Sequence, residues 1–245
     1  MNNLPLVNVF KYPYELWDTR DQTIDEMRQS SNFHERVKVK LNARIQNHNE
    51  AAEHILLKVV DNQLEHFIKD YLNSSVSFNN MRKGMPSRTP KSLSDFQRKF
   101  QSNDFKQVTI DINNIGKKLS EGQYLFHGGL WPRGAGKSFI TKRPLSTSFC
   151  PQIALRNAEW AGKSYYAGEI NIFVLRVVNP QTNVFCFRIN GTDKGHEVEV
   201  LFASGAQLTL RRKTLIKTDG SVYIACRERT LKKEIPFYLL EVDIS

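Results

Sequence analysis

The chain has few cysteines, no long apolar run and no excess of acidic residues, and each shortage excludes a class of protein. Cys150, Cys186 and Cys226 are 36 and 40 residues apart, which matches neither a disulfide framework nor a zinc site and favours a reducing compartment. Lys11 and Glu15 interrupt the apolar residues near the amino terminus, and no apolar run reaches the length of a membrane span. We therefore expect a cytoplasmic location and no membrane partner.

The composition is that of an ordinary globular protein rather than a disordered or fibrous chain. Of 245 residues, 40% are hydrophobic and 24% are charged, and the length predicts one large domain or a core with a helical extension. Lys and Arg number 35 against 25 Asp and Glu, a net charge of +10. Residues 82–118 hold nine basic and three acidic side chains. This surplus is either a solvated face or a surface that binds polyanions.

The two halves of the chain have different periodicities. Apolar residues recur at three- and four-residue steps over 49–74, which predicts one long helix, and more weakly over 21–45, which predicts a broken helical pair. Residues 75–92 are rich in Ser, Asn and Pro and predict a linker that no helix crosses. After Gly122, short strand-like runs predominate, at 123–127, 170–178, 183–187, 197–202, 207–210, 221–226 and 236–244.

This pattern predicts an α+β protein of two parts. Residues 1–104 would be a helical N-terminal region, and residues 105–245 would be a β-rich core of two antiparallel sheets packed face to face. Within the core, only residues 151–161 have helical spacing.

Two familiar site motifs are incomplete. Residues 134–138 (GAGKS) resemble the end of a nucleotide-binding P-loop, but Trp131 stands where the first glycine is required and no helical pattern follows. The cations beside these glycines could still meet a phosphate group. His196 and Glu197 lack the second histidine of a zinc-binding helix, so we expect no metal cofactor.

Three segments are more informative together than apart: 123–129 (QYLFHGG), 144–149 (PLSTSF) and 195–202 (GHEVEVLF). In this order they resemble the ADP-ribosyltransferase superfamily, in particular the bacterial and phage toxin branch with its Arg, Ser-Thr-Ser and Glu-x-Glu motifs. The resemblance covers about residues 105–245. It implies a split antiparallel β-sandwich around a cleft that binds NAD, with transfer of ADP-ribose to a macromolecule and release of nicotinamide.

The Glu-x-Glu segment carries the chemistry that this reaction needs. Breaking the bond between nicotinamide and ribose leaves an oxocarbenium-like sugar, which a carboxylate can stabilise. Glu197 and Glu199 belong to the strand predicted at 197–202, where alternation places both side chains on one face and Val198 on the other. By family resemblance, Glu199 would hold the ribose hydroxyl and stabilise the cation, while Glu197 would position or deprotonate the acceptor. Taken alone, two such residues more often line a solvated strand face.

The resemblance also implies a cofactor-binding set, with Ser146 contacting both Glu199 and NAD. Ser148 would join it, Thr147 would turn toward the sheet, and Phe149 with Trp160 could form an aromatic wall for nicotinamide. The alternatives are an ordinary Ser/Thr strand end and two core aromatic residues. The full set implied for NAD is His127, Gly128, Ser146, Thr147, Ser148, Phe149, Arg133 and Arg143.

One position departs from the toxin pattern. His127 stands where that branch usually has arginine; a His-Gly pair there is typical of the poly(ADP-ribose) polymerase-like and diphthamide-modifying branches, where it contacts an NAD ribose. The pyrophosphate would then need another cation. Arg133, Lys137 and Arg143 are the candidates, and a bidentate arginine is the better one.

The acceptor stays open between protein and nucleic acid. The family's Glu-x-Glu form is associated with arginine acceptors, whereas the charge of +10 favours RNA or DNA, whose base amino groups are also nucleophiles. NAD hydrolysis without an acceptor is a third alternative. We expect a toxin or effector acting in the cytoplasm of the producing or the target cell, with a neutralising antitoxin or immunity protein as a possible partner.

A second class of function is a non-catalytic, nucleic-acid-binding β-sandwich with a basic helical arm. It predicts that Tyr124, Phe126 and Trp131 stack on bases and that Glu199 has no role.

Overall fold

The fold is that of a computed structural model, in which residues 3–29, 36–99, 104–192, 194–226 and 229–245 are described. Within those ranges the α-helices are α1 Ile24–Gln29, α2 His48–Lys58, α3 Asn62–Ser74, α4 Val76–Lys83, α5 Lys91–Arg98, α6 Phe105–Ile115, α7 Pro151–Glu159 and α8 Lys163–Ala167. The strands are β1 Tyr14–Arg20, β2 Val37–Ile45, β3 Tyr124–Gly128, β4 Ser138–Ile140, β5 Leu145–Ser148, β6 Ile170–Val177, β7 Val184–Cys186, β8 Glu199–Phe202, β9 Gln207–Cys226 and β10 Arg229–Ile244.

Eight of the strands form one hydrogen-bonded sheet in the order β4-β9-β10-β6-β3-β5-β8-β7. In this sheet β10 and β6 are parallel, and every other neighbouring pair is antiparallel. The first two strands form a separate antiparallel pair. The predicted α+β class is confirmed. The strands predicted to form two antiparallel sheets are joined by hydrogen bonds into one mostly antiparallel sheet.

The helix predicted over 49–74 is two helices, because the chain leaves the helical conformation at Val59. Val59 has a φ of 69°, and Asp61 then begins α3 by accepting hydrogen bonds from backbone N–H groups of its first turn. The apolar residues of both helices are nevertheless buried as the spacing predicts, for example Ile55 and Ile68. Apolar periodicity continues across the break, so it did not reveal the break.

The helical pair predicted over 21–45 is wrong in its second part, where the chain forms a strand. Among the described residues of this stretch, α1 is the helix and β2 occupies the second part, and positions 30–35 of the prediction lie outside the described residues. Val37, Val39 and Leu41 alternate with polar residues, a period-two pattern that is typical of a strand. β2 forms this strand by pairing with β1 in an antiparallel register.

Two further boundaries differ from prediction. The linker predicted over 75–92 contains α4, which Ser75 begins by accepting a hydrogen bond from the N–H of Phe78 at 3.2 Å. The runs predicted at 207–210 and 221–226 belong to the single strand β9, which pairs with β10 along most of its length.

Buried apolar side chains form one cluster that includes residues on both sides of position 104, such as Leu64 of α3 and Phe173 of β6. Helices of the N-terminal region therefore pack on the same core as the large sheet. The division of the chain at residue 104 stays a prediction.

Candidate active site

The three motif segments lie on or beside adjacent strands, with β5 between β3 and β8. Ser148 of β5 pairs with Phe126 of β3 on one side and with Glu199 of β8 on the other. Close packing behind β3 requires a glycine, because a Cβ added to Gly128 would lie 1.7 Å from the carbonyl oxygen of Ala154 in α7. The sheet order thus brings together residues that are far apart in sequence.

Glu199 is the central residue of this group, and its side chain is buried, with 5% of the residue exposed. The hydroxyl of Ser146 donates a hydrogen bond to Oε1 at 2.6 Å. The amide Nε2 of Gln97, on α5, donates to Oε2 at 2.7 Å. Both carboxylate oxygens are therefore held by neutral donors from two different elements.

Burial raises the pKa of Glu199 to about 7, from an ordinary value of 4.5. The hydrogen bonds from Ser146 and Gln97 act in the opposite direction, because they favour the anion. The charge of Glu197 raises this pKa and that of Lys194 lowers it. A carboxyl group in this environment changes between its neutral and charged forms near neutral pH.

Glu197 does not share a strand with Glu199. It ends a 3₁₀ turn, Gly195–Glu197, and β8 begins only at Glu199, so the expectation of two carboxylates on one strand face is wrong. Between them, Val198 has a φ of 42°, which breaks the strand alternation, and its side chain is buried. The side chains of Glu197 and Glu199 are neighbours through this turn rather than through the period of a strand.

Glu197 forms an ion pair with Lys194, whose Nζ lies 2.8 Å from Oε1 of the carboxylate. Both side chains are partly exposed. The carboxylate that was predicted to face the acceptor therefore already holds a cation, at the edge of the site.

Two residues of the Ser-Thr-Ser segment hold the site together by hydrogen bonds to the chain. The buried hydroxyl of Thr147 donates to the carbonyl oxygen of Val200 at 2.6 Å, on the sheet as predicted. The buried hydroxyl of Ser148 donates to the carbonyl oxygen of Glu197 at 2.7 Å and accepts from the N–H of Cys150 at 3.0 Å. Ser148 thus fixes the turn that carries Glu197.

His127 lies on β3, next to the strand β5 that carries the Ser-Thr-Ser segment. Its Nδ1 is 2.7 Å from the carbonyl oxygen of Ser146, which can only accept, so Nδ1 carries a proton. Burial lowers the pKa of His127 to about 4, and the imidazole is neutral at pH 7. Nε2 is then an acceptor for a hydroxyl group. Phe173 packs edge-on against the ring, with centroids 5.3 Å apart.

The two predicted wall aromatics have different surroundings. Phe149 is 1% exposed and packs edge-on against Phe78 at 5.7 Å, which places it in the core rather than on the wall of an open groove. Trp160 is 55% exposed, and the ammonium group of Lys163 lies 5.7 Å from the centre of its ring. Of this pair, only Trp160 offers an accessible ring.

The predicted phosphate-binding arginines are both exposed. The guanidinium of Arg143 lies 5.6 Å from the ring centre of Phe105, and Arg133 is close enough to Glu169 for their charges to interact. The glycine-rich segment beside them leads into strand β4 rather than into a helix, which agrees with the rejection of a P-loop.

The aromatic residues of the nucleic-acid alternative are used in packing. Phe126 is fully buried, Tyr124 stacks on His48 with centroids 4.6 Å apart, and Trp131 meets Phe139 edge-on at 4.9 Å. A buried ring cannot stack on a base, so Phe126 does not have the predicted role.

Within the described ranges, no group of three or more His, Cys, Asp or Glu side chains is arranged to hold a metal ion. Among the helices of those same ranges, none has the length and apolar character needed to cross a bilayer.

Two residues near the site were not predicted from the sequence. Gln97 contacts Glu199 across 102 positions of chain, and the charge of Lys163 acts on His127. The helical spacing of 91–98 marks the apolar face of α5 but does not single out one glutamine. No local signal could have identified its partner.

Solved structures with which the chain can be superposed include toxins of several bacteria. ADP-ribosyltransferase Vis in complex with agmatine is 15% identical, with a TM-score of 0.35 over 80% of this chain and 73% of that one. The likeness is to ADP-ribosyltransferases. Another ADP-ribosyltransferase toxin, Plx2a from Paenibacillus larvae, is 9% identical, with a TM-score of 0.34 over 80% of this chain and 92% of that one.

The enzymatic component C2-I of the C2 toxin from Clostridium botulinum is 12% identical, with a TM-score of 0.33 over 79% of this chain and 46% of that one. No protein-family model and no curated sequence matches the chain. These likenesses are of low identity and low TM-score, and the ADP-ribosyltransferase resemblance drawn from the three sequence motifs stays a prediction.

Proposed function

We propose that the chain is an NAD-dependent mono-ADP-ribosyltransferase, which moves ADP-ribose from NAD to a macromolecular acceptor and releases nicotinamide. NAD is the substrate, and the proposed chemistry uses no metal. The observation that carries the proposal is the buried carboxyl group of Glu199, which accepts a hydrogen bond from Ser146 at 2.6 Å. Burying an ionisable carboxyl group is costly, and such groups cluster at functional sites.

The first step breaks the bond between ribose C1′ and the nicotinamide nitrogen. The bonding electron pair goes to that nitrogen, neutral nicotinamide leaves, and the positive charge passes to the ribose as an oxocarbenium ion. The Glu199 carboxylate accepts a hydrogen bond from a ribose hydroxyl and stabilises this cation in a water-poor environment, where its charge acts strongly. Ser146 keeps the carboxylate oriented.

In the second step, a lone pair of the acceptor forms the new bond to C1′, and the Glu197 carboxylate takes the proton that the acceptor loses. Glu197 and Lys194 are both partly exposed, so a cationic acceptor can reach the carboxylate and take the place of Lys194, which leaves the carboxylate paired with a positive group. We therefore propose the guanidinium group of a protein arginine. A guanidinium is protonated at neutral pH and needs this carboxylate both for orientation and for deprotonation.

We assign the remaining contacts with NAD to residues around Glu199. The Nε2 atom of the neutral His127 ring accepts a hydrogen bond from a ribose hydroxyl of NAD, and the backbone at Gly128 contacts the carboxamide of nicotinamide. Trp160 is the aromatic surface for nicotinamide, since Phe149 is buried in the core. Ser146 contributes a direct contact, whereas Thr147 and Ser148 support the strand and the turn. Arg133 and Arg143 are assigned to the pyrophosphate.

A base of RNA or DNA is the second candidate acceptor. It is favoured by the net charge of +10 and by the basic surplus over residues 82–118. A toxin or effector role, with a neutralising protein as partner, stays a prediction.

The proposed reaction is tested with labelled NAD and agmatine, a small guanidinium compound. We expect nicotinamide release and labelled agmatine with the unchanged protein, and a loss of about a thousandfold in Glu199→Gln. Glu53→Gln, at an exposed position of α2, is the matched control and should keep full activity. Equal labelling by Glu199→Gln and the unchanged protein would show that the mechanism is wrong.

The acceptor is then identified in total cell extract. Label that protease removes and nuclease leaves is on protein, as proposed. Label that nuclease removes is on RNA or DNA and would contradict the arginine assignment while leaving the transferase reaction intact.

A further inference from the structure

The contact between Gln97 and Glu199 joins the N-terminal helices to the centre of the site. Gln97 lies near the end of α5, and its Nε2 donates to Oε2 of Glu199 at 2.7 Å. Ser146 donates to the other carboxylate oxygen from β5. Each oxygen is thus held from a different side.

We propose that Gln97 is a positioning residue for Glu199, holding the carboxylate in the orientation and the ionised form that the reaction requires. This inference rests on the proposed transferase function. It assigns to the N-terminal region a direct part in the chemistry of the core.

Geometry supports this role. With Ser146 alone, the carboxylate could rotate about its last side-chain bond while keeping one hydrogen bond. A second donor on the opposite oxygen fixes the plane of the group. A carboxylate has about four lone-pair positions, so two donors still leave positions for a ribose hydroxyl.

The chemistry of the donor also matters. An amide N–H favours the carboxylate anion, as an arginine or lysine would, but it adds no positive charge. The full negative charge of Glu199 thus stays available to the sugar cation. A cation in place of Gln97 would neutralise the charge that the reaction uses.

The helix that carries Gln97 is anchored. Leu93, one turn before Gln97, is fully buried, and Phe96 is 3% exposed. Ser92, at the start of the helix, donates a hydrogen bond to Asp111 of α6. The amide is therefore presented from a packed element rather than from a loose surface chain.

The test is Gln97→Met, which keeps the length of the side chain and removes the donor. At neutral pH we expect nicotinamide release from NAD to fall about tenfold, since a hydrogen bond to a charged group is lost. The acid limb of the pH profile should move to higher pH, and activity should recover toward that of the unchanged protein at about pH 9, where Glu199 ionises without help. Gln63→Met, at an exposed position of α3, is the control and should change neither quantity.

A carbon-13 NMR titration of the Glu199 carboxyl group follows the same change without any reaction, and Gln97→Met should raise its pKa.

If that variant does not fold, Gln97→Glu preserves size and shape, and its second carboxylate should move the pH profile further upward. If a substituted protein stays active, and neither its pH profile nor the titration of Glu199 changes, the proposed role of Gln97 is wrong. The proposed transferase function is not affected by that result. An equal loss at every pH would also overturn the role of Gln97, since packing damage is not repaired by ionising Glu199. If the protein without any substitution releases no nicotinamide at any pH, the proposed function itself is wrong.

Discussion

At the scale of single residues, the site depends on how Glu199 is desolvated. The side chain is almost completely buried, yet it has two hydrogen-bond donors and no directly bonded cation among the contacts of its carboxylate oxygens in the described ranges. Burial therefore dominates and raises its pKa to about 7. The group is poised where a small change in its surroundings changes its charge.

The first prediction concerns activity and pH. Because the Glu199 anion stabilises the sugar cation in the proposed mechanism, nicotinamide release should rise as pH increases through about 7, the pKa of Glu199, and then level off. Ser146→Ala removes one donor to the anion, so it should lower the rate about tenfold at neutral pH and move the rise to higher pH. Initial rates across the pH range check this, and a rate independent of pH between about 5 and 9 would contradict it.

The second prediction concerns stability. The pKa of Glu199 is about 7 in the folded protein against an ordinary 4.5, so folding binds a proton in this window and stability falls as pH rises through it. Glu199→Gln removes this cost. The variant should exceed the unchanged protein in unfolding free energy by up to about 3 kcal/mol at about pH 8, with little electrostatic gain at about pH 4. Urea unfolding at both pH values measures the difference, and an equal difference at both would show that charge is not its cause.

At the scale of elements, the 3₁₀ turn Gly195–Glu197 sets the position of the second carboxylate. A Cβ on Gly195 would lie 1.8 Å from the carbonyl oxygen of Ile189, so the turn packs closely on the chain that precedes it. Ser148 then ties the turn to β5 through the carbonyl oxygen of Glu197. The site thus combines one carboxylate on a strand with one on a braced turn.

The third prediction tests this brace. Ser148→Ala leaves the Glu197 carbonyl without the donor it has now, which should cost about 1–3 kcal/mol of stability and loosen the turn. We expect transfer to agmatine to fall more than nicotinamide release, because the proposed mechanism assigns Glu197 to the acceptor and Glu199 to NAD. The ratio of the two rates is the measurement. Ser74→Ala, which removes an exposed hydroxyl bonded to the backbone of α3, is the control. A ratio that stays constant would contradict the separation of roles.

At the scale of the whole molecule, the net charge of +10 predicts an interaction with polyanions whether or not a nucleic acid is the acceptor. Binding to single-stranded RNA should weaken at least tenfold between about 50 and 200 mM salt. The double variant Lys83→Ala with Arg88→Ala, at exposed positions of the basic segment, should make this dependence shallower. Transfer to agmatine should respond to neither change. Fluorescence anisotropy at several salt concentrations tests this, and RNA binding unaffected by salt would contradict it.

Packing across the whole molecule also decides which predicted residues meet. Phe149 follows the Ser-Thr-Ser segment, as the resemblance requires, but its ring packs on Phe78 of α4 inside the common core. Gln97 belongs to a helix of the N-terminal region and reaches the carboxylate of Glu199. Both outcomes depend on how the N-terminal helices sit against the sheet.

The sequence by itself determined the order of the three motif segments and the strand character of two of them, because these depend on short-range pattern. The contact between Ser146 and Glu199 was implied by the family resemblance, and the structure has it as a hydrogen bond. The sequence also determined the buried faces of α2 and α3 through apolar spacing. The same spacing failed at Val59, where a single residue with a positive φ ends a helix, and at β2, where alternation outweighs a weak helical pattern.

Only the tertiary structure decided that Glu197 lies on a turn, that Phe149 is in the core and that Gln97 holds Glu199. Each of these follows from contacts between segments distant in sequence, and a local pattern carries no information about which distant partner a side chain meets. The raised pKa of Glu199 belongs to the same class, because burial is a property of the packed molecule rather than of the residue.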